Sequence, residues 1–197
     1  MKPKTIILSD AVSLVAWGYF FQYLNINLGP VDILPNWLGY GMMLRALSAL
    51  ETAVPAADLL RPLARMLAAW QGLLWVLNLL RVPTTGPVVS LLSLVLGVVG
   101  IYFHFQLLTN LAEAAHQRAF PDEKPLLHLR TINTLLVTLL ALPIRWTDYP
   151  IVILVLGLVS VVVGLWICVT LFSFRRHLPL SERRQSGHWE CATTVYS

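Results

Sequence analysis

The chain has 197 residues, 57% of them hydrophobic and 12% charged, with a net charge of +4 and a mean hydropathy of +0.70. A soluble domain carries about 25% charged residues, and half that share cannot clothe a water-facing surface. The basic balance is therefore not the footprint of a nucleic-acid binder, because in an apolar chain Lys and Arg report orientation across a bilayer first.

The apolar residues come in long blocks, several near or beyond the roughly 18 residues of a transmembrane helix. Met1-Lys2-Pro3-Lys4 before an apolar run has the start of a signal peptide, but the run continues too far and is read as a retained first helix. Six spans are predicted, over residues 6–28, 34–53, 62–80, 88–108, 126–142 and 151–174. The fold class expected is all-α: a polytopic membrane protein of six transmembrane helices in three antiparallel hairpins. Residues 1–174 form the membrane domain, and 175–197 a basic, mobile cytoplasmic tail. The fourth span is expected to continue as a helix through His116 and stop before Pro121.

Twelve of the fourteen Lys and Arg residues then fall on one side. Lys2 and Lys4 precede span one; Arg45, Arg61 and Arg65 lie near the connection from two to three; Arg118, Lys124 and Arg130 lie around that from four to five; Arg175, Arg176, Arg183 and Arg184 follow span six. Arg81 and Arg145 lie opposite. The positive-inside rule puts both termini in the cytoplasm. The three outer turns, GPVDILP, RVPTTGP and PIRWTDYP, are short and proline-rich, which suits turns and first helical turns. Cys168 sits in an apolar run and Cys191 near the C-terminus, so no disulfide framework is expected.

Two halves of the chain look alike. Arg65, Arg81, Pro87 and Gly100 match Arg130, Arg145, Pro150 and Gly164 at offsets of 63 to 65. Small residues recur at helical spacing: Ser90, Ser93, Gly97 and Gly100 on span four, and Gly157, Ser160 and Gly164 on span six. In lipid, close backbone approach at small residues drives packing, so both faces are expected to be buried against protein.

Polar residues gather where the spans should face outward. Gln22 and Asn25 share a face of span one; Gln71 and Asn78 share a face of span three, with Arg81 a turn on; Asp32 and Asn36 open span two; Arg145 and Asp148 lie in the last outer turn. Such groups cannot face hydrocarbon unsatisfied. Two arginines and a helix N-terminus suit an anion or carboxylate. The structural alternative makes Asp32 an N-cap and pairs Arg81 and Arg145 with Asp32 and Asp148. Trp37, Trp75, Trp146 and Tyr149 suit an interfacial aromatic belt.

Asp10 and Arg45 both fall in the cytoplasmic half, where an intramembrane ion pair would be either a functional charge site or a lock on the hairpin; snorkelling of Arg45 is the simpler alternative. Thr131, Thr134 and Thr138 form a stripe expected to bond its own helix. His104 and Gln106 are read as interfacial. His177, His188 and Cys191 have no four-ligand pattern, so no metal site is expected. There is no H-E-x-x-H, G-x-S-x-G, Walker A or C-x-x-C, and neither an enzyme nor a cofactor is indicated.

The run from Ile26 to Tyr40, INLGPVDILPNWLGY, resembles the first hairpin of a group of small uncharacterised bacterial integral membrane proteins, in which Asp-Ile-Leu-Pro-Asp/Asn is followed by Gly and an aromatic residue. The likeness covers about the first fifty residues. It implies the bacterial cytoplasmic membrane and brings no activity with it. The expected role is a small-solute binding or transport component; the alternative is a non-catalytic interaction or regulatory subunit. The expected partners are the lipid bilayer and a membrane or cytoplasmic protein, with no nucleic acid.

Overall fold

The computed structural model describes residues 8–23, 27–28, 31–32, 36–82, 84, 86–118, 123–142, 144 and 148–193, without the side chains of 27, 28, 31, 32, 123 and 179–193. The fold is all-helical. Six α-helices follow in chain order: α1 (Leu8–Tyr23), α2 (Asn36–Ala53), α3 (Leu60–Leu79), α4 (Pro87–His116), α5 (Glu123–Ala141) and α6 (Pro150–Thr193). A 3-10 turn, Pro55–Leu59, leads into α3.

Proline sets several of the helix starts. Pro87 and Pro150 are the first residues of α4 and α6. There the missing N–H has no intrahelical partner to lose, and φ is already helical. The carbonyl of Gly86 accepts the first bond of α4 from the Ser90 N–H at 3.0 Å. Two segments are long and apolar enough to cross a membrane, Pro87–His116 with mean hydropathy 2.2 and Pro150–Leu178 with mean hydropathy 3.0. Polar and charged residues dilute the other helices: Arg45 and Glu51 in α2, Arg61 and Arg65 in α3, Lys124 and Arg130 in α5.

Each helix packs on the next, and α6 returns to α1, so the helices close a ring. The tightest joint is between α1 and α2. A Cβ on Gly18 would lie 2.9 Å from the Gly39 carbonyl oxygen, and one on Gly39 would lie 2.7 Å from the Gly18 oxygen. The two backbones therefore touch, as small residues permit. Gly18 also meets Met43, and Gly39 meets Gln22, so the two helices run antiparallel. On the other side of α1, Tyr23 lies on Gly164, and the Cys168 thiol donates to the Ala16 carbonyl at 3.3 Å.

The core is concentrated toward the end of the ring at the α2–α3 link. Leu47 and Leu50 of α2, Leu60 of α3, Phe103, Leu107 and Leu111 of α4, Leu126 of α5 and Leu171 and Phe174 of α6 are all buried there. The opposite end, at the α3–α4 link, is stepped. From His104, level with Tyr40, α4 continues back to Pro87 over 17 residues, about 25 Å. From Gly164, level with Tyr23, α6 continues back to Pro150 over 14 residues, about 21 Å. Helices α1 and α2 stop short of that.

Their connection differs from the tight turn expected between spans ending at 28 and starting at 34. Helix α1 ends at Tyr23 and α2 begins at Asn36; between them β1 (Asn27–Leu28) pairs antiparallel with β2 (Val31–Asp32), Asn27 opposite Asp32. Asp32 is thus in a strand, four residues before α2, and not its N-cap.

The step also corrects the packing expectation. Ser90, Gly97 and Gly157 are exposed, and a Cβ on either glycine would meet nothing within 4 Å. Ser90 and Gly157 lie on the projecting halves of α4 and α6, beyond the reach of α1 and α2, and Gly97 borders an open space between α4 and α3. Ser93 and Ser160 are half-buried; the Ser160 hydroxyl is turned onto its own helix at the Leu156 carbonyl. Gly100 and Gly164 are buried.

Asp10 and Arg45 do not pair. Gly18 is level with Gly39 and Met43, so Asp10, eight residues earlier, falls about 6 Å past Arg45 along the antiparallel neighbour. The buried face of α1 carries Leu8, Ala11, Val12, Val15 and Tyr19, and Asp10 points away from it, exposed like Arg45. The ion pair found among the described residues joins Arg61 to Glu51, with Arg61 Nε donating to Oε1 at 3.0 Å. The stretch expected to be a separate tail after Phe174 continues α6 as helix to Thr193; residues 194–197 lie outside the described residues.

Candidate functional site

Where α1 and α2 stop, the helices border a half-open cavity of about 320 Å³, within the usual size of small-molecule sites, about 300–1,000 Å³. Its base is made by Tyr23 of α1, Tyr40 of α2 and His104 of α4. One wall is the α3 stretch Leu67, Trp70, Gln71 and Leu74; the other is the α4 face with Ser93, Gly97, Gly100 and Ile101. Gln22 and Val137 complete it. A second cavity of about 110 Å³, lined by Asn36, Gln71, Leu74, Trp75 and Asn78, lies against the same α3 stretch and shares Gln71 and Leu74 with the first. Among the described residues no charged side chain lines either one.

The base is a hydrogen-bonded row. His104 Nε2 is 3.3 Å from the Tyr40 hydroxyl, and Nδ1 is 3.3 Å from the Tyr19 hydroxyl. The imidazole is held between two tyrosine rings, with centroids at 5.4 Å to Tyr19 and 5.7 Å to Tyr40, and Phe103 meets it edge-on. Tyr19 is fully buried. Beside it Tyr23 stacks on Tyr19 and donates its hydroxyl to Asn133 Oδ1 of α5. Two polar atoms at the cavities are buried without a partner: Gln22 Nε2 at the larger and Asn36 Oδ1 at the smaller. A buried polar group left unpaired costs about 1–3 kcal/mol.

Of the residues expected to bind a ligand, the structure gathers Gln22, Asn36, Gln71 and Asn78 around these cavities. Arg81 and Asp148 are exposed and line neither cavity. Arg81 instead ends α3: at φ 55° it occupies the left-handed position, with its N–H bonded to the Asn78 carbonyl at 3.0 Å and the Val82 N–H bonded to Leu77 at 2.9 Å, the bonding of a Schellman cap. Asn25, Arg145 and the side chain of Asp32 lie outside the described residues. The anion reading, which needed the arginines, therefore has no support in the cavity wall.

Tyr19, Tyr23, Tyr40, Trp70 and His104 were not singled out as ligand residues from the sequence, and the structure sets His104 between the Tyr19 and Tyr40 rings. The signal available was the position of His104, seventeen residues inside α4, with tyrosines four apart at 19 and 23 on a neighbouring apolar helix. Elsewhere, Arg130 joins α5 to α4: its guanidinium lies 4.5 Å from the Phe105 ring centroid and donates to the Thr109 hydroxyl at 3.2 Å. Thr131 and Thr134 bond carbonyls of their own helix. Among the described residues no three His, Cys, Asp or Glu side chains come together.

No protein-family model, curated protein or solved structure matches the chain, so geometry carries the functional reading.

Proposed function

We propose that the chain is a multi-pass protein of the bacterial cytoplasmic membrane that binds a small solute in the tyrosine-lined cavity, as a binding or transport component and not as an enzyme. All six helices cross, in three antiparallel hairpins, with both termini in the cytoplasm. Support for the location comes from the two apolar helices α4 and α6, the low charge content and the placement of twelve of fourteen Lys and Arg residues on one side. In this orientation the stepped end faces outward and the packed core lies toward the cytoplasm.

The observation that carries the binding reading is a cavity of about 320 Å³ between apolar helices, bordered by the polar side chains of Tyr40, His104, Gln71 and Ser93. Hydrocarbon cannot satisfy such groups, and a solute can. A thermal-shift screen of small polar metabolites on purified protein in detergent tests this. Some compounds should raise the Tm of the wild type and leave unmoved that of Ser93→Trp, which fills the cavity. Equal shifts in both proteins would remove the cavity as the site.

A further inference from the structure

The hydrogen bonds at the cavity base fix which groups face a ligand. Tyr19 is fully buried, and His104 is its hydrogen-bond partner among the described residues. Its O–H can therefore be satisfied only by donating to Nδ1. A neutral imidazole has one donor and one acceptor nitrogen, so the proton sits on Nε2 and is donated to the Tyr40 oxygen. The Tyr40 proton cannot return to His104, and the hydroxyl borders the cavity. It becomes a donor aimed into that space. Beyond the base, the described wall is mostly aromatic or apolar, with Trp70 of α3 among its residues, and Gln71 and Ser93 are its uncharged polar side chains. Among the described lining residues there is no Asp, Glu, Lys or Arg, so a charged ligand would find no counter-charge there to offset its desolvation.

Resting on the cavity as the binding site, we infer that its ligand is a neutral, flat small molecule carrying a hydrogen-bond acceptor, held by the Tyr40 hydroxyl, with His104 as the positioning residue that turns the Tyr40 proton toward it. A carbonyl or ring nitrogen on an aromatic ring meets these requirements. An anion or cation of the same size does not.

The test uses three probes of one shape: benzamide, benzoate and benzylammonium, titrated against the full chain in nanodiscs. Benzamide should bind at least about tenfold more tightly than either charged probe, and Tyr40→Phe should weaken it about tenfold, the worth of one hydrogen bond of ordinary strength. Toluene, which has no acceptor, should bind wild type and Tyr40→Phe alike; this separates a lost donor from a damaged cavity. Benzamide that binds Tyr40→Phe as well as wild type, that is matched by benzoate, or that does not bind at all overturns the acceptor assignment. Benzamide that binds Ser93→Trp as well as wild type overturns the cavity itself, a different failure. The tautomer is read without any folding risk in the unmodified protein. Nitrogen-15 NMR of histidine-labelled chain, with His104→Gln to assign the signal, should show Nε2 protonated and Nδ1 bare; the opposite tautomer contradicts the inference.

Discussion

Two glycines hold matching places in the molecule and do opposite things. Gly100 lies thirteen residues after the proline that starts α4, and Gly164 fourteen after the proline that starts α6. Both are buried, and each faces a tyrosine from the first two helices. A Cβ on Gly164 would overlap the Tyr23 ring, whereas one on Gly100 would reach nothing closer than 3.7 Å, at Leu67 and the Tyr40 hydroxyl. The difference lies in the tyrosines. Tyr23 crosses over Gly164 toward Asn133 and fills the space. Tyr40 is drawn to His104, stops short of α4's small face, and leaves the cavity. The same small residue permits contact on one side and makes a site on the other.

The comparison can be broken by substitution, read as detergent melting. The largest effect is expected at Gly39→Ala, where the new methyl would meet the Gly18 backbone at 2.7 Å and no side chain can give way; about 3 kcal/mol of destabilisation, the upper part of the range for overpacking, is expected. Gly164→Ala follows at about 2 kcal/mol, and Tyr23→Leu in the same chain should recover part of it. Arg81→Gly should instead stabilise by about 1 kcal/mol, because a non-glycine residue at φ 55° is strained in the left-handed region. Gly100→Ala is expected to range from neutral to about 1 kcal/mol stabilising, the helix-propensity gain with no clash against it. Equal losses at Gly100 and Gly164 would erase the contrast between the two sides. The smallest change, about 0.5 kcal/mol, is expected from Glu51→Gln, since the Arg61–Glu51 pair is part-exposed.

The six helices were legible because apolar runs of that length have few other ways to satisfy their backbone, and the helix starts at Pro87 and Pro150 follow from proline's missing donor. Gln22, Asn36, Gln71 and Asn78 were legible as polar groups that could not face lipid. The ring closure was not legible, since hydropathy says nothing of which helix α6 returns to. That is why Gly97 and Gly157 read like Gly100 and Gly164, though only the latter two lie where α1 and α2 reach. The joint at Gly18 and Gly39 was missed for the opposite reason: each is a single glycine without a spaced companion, and closeness came from the pairing of two helices. Asp10 and Arg45 looked like partners by depth alone. Which face each occupied depended on that same joint.

If the cavity binds a solute in a membrane-embedded ring, water-soluble molecules reach the α3–α4 side while the projecting face of α6 meets lipid. In a chain with Cys168 and Cys191 replaced by Ala, Ser93→Cys and Gly157→Cys can be exposed to the neutral reagent 2-hydroxyethyl methanethiosulfonate in sealed vesicles. Rapid labelling of Ser93→Cys, slowed by benzamide, with Gly157→Cys inert, is the expected result. Inert Ser93→Cys, or Gly157→Cys labelled as fast, would contradict it.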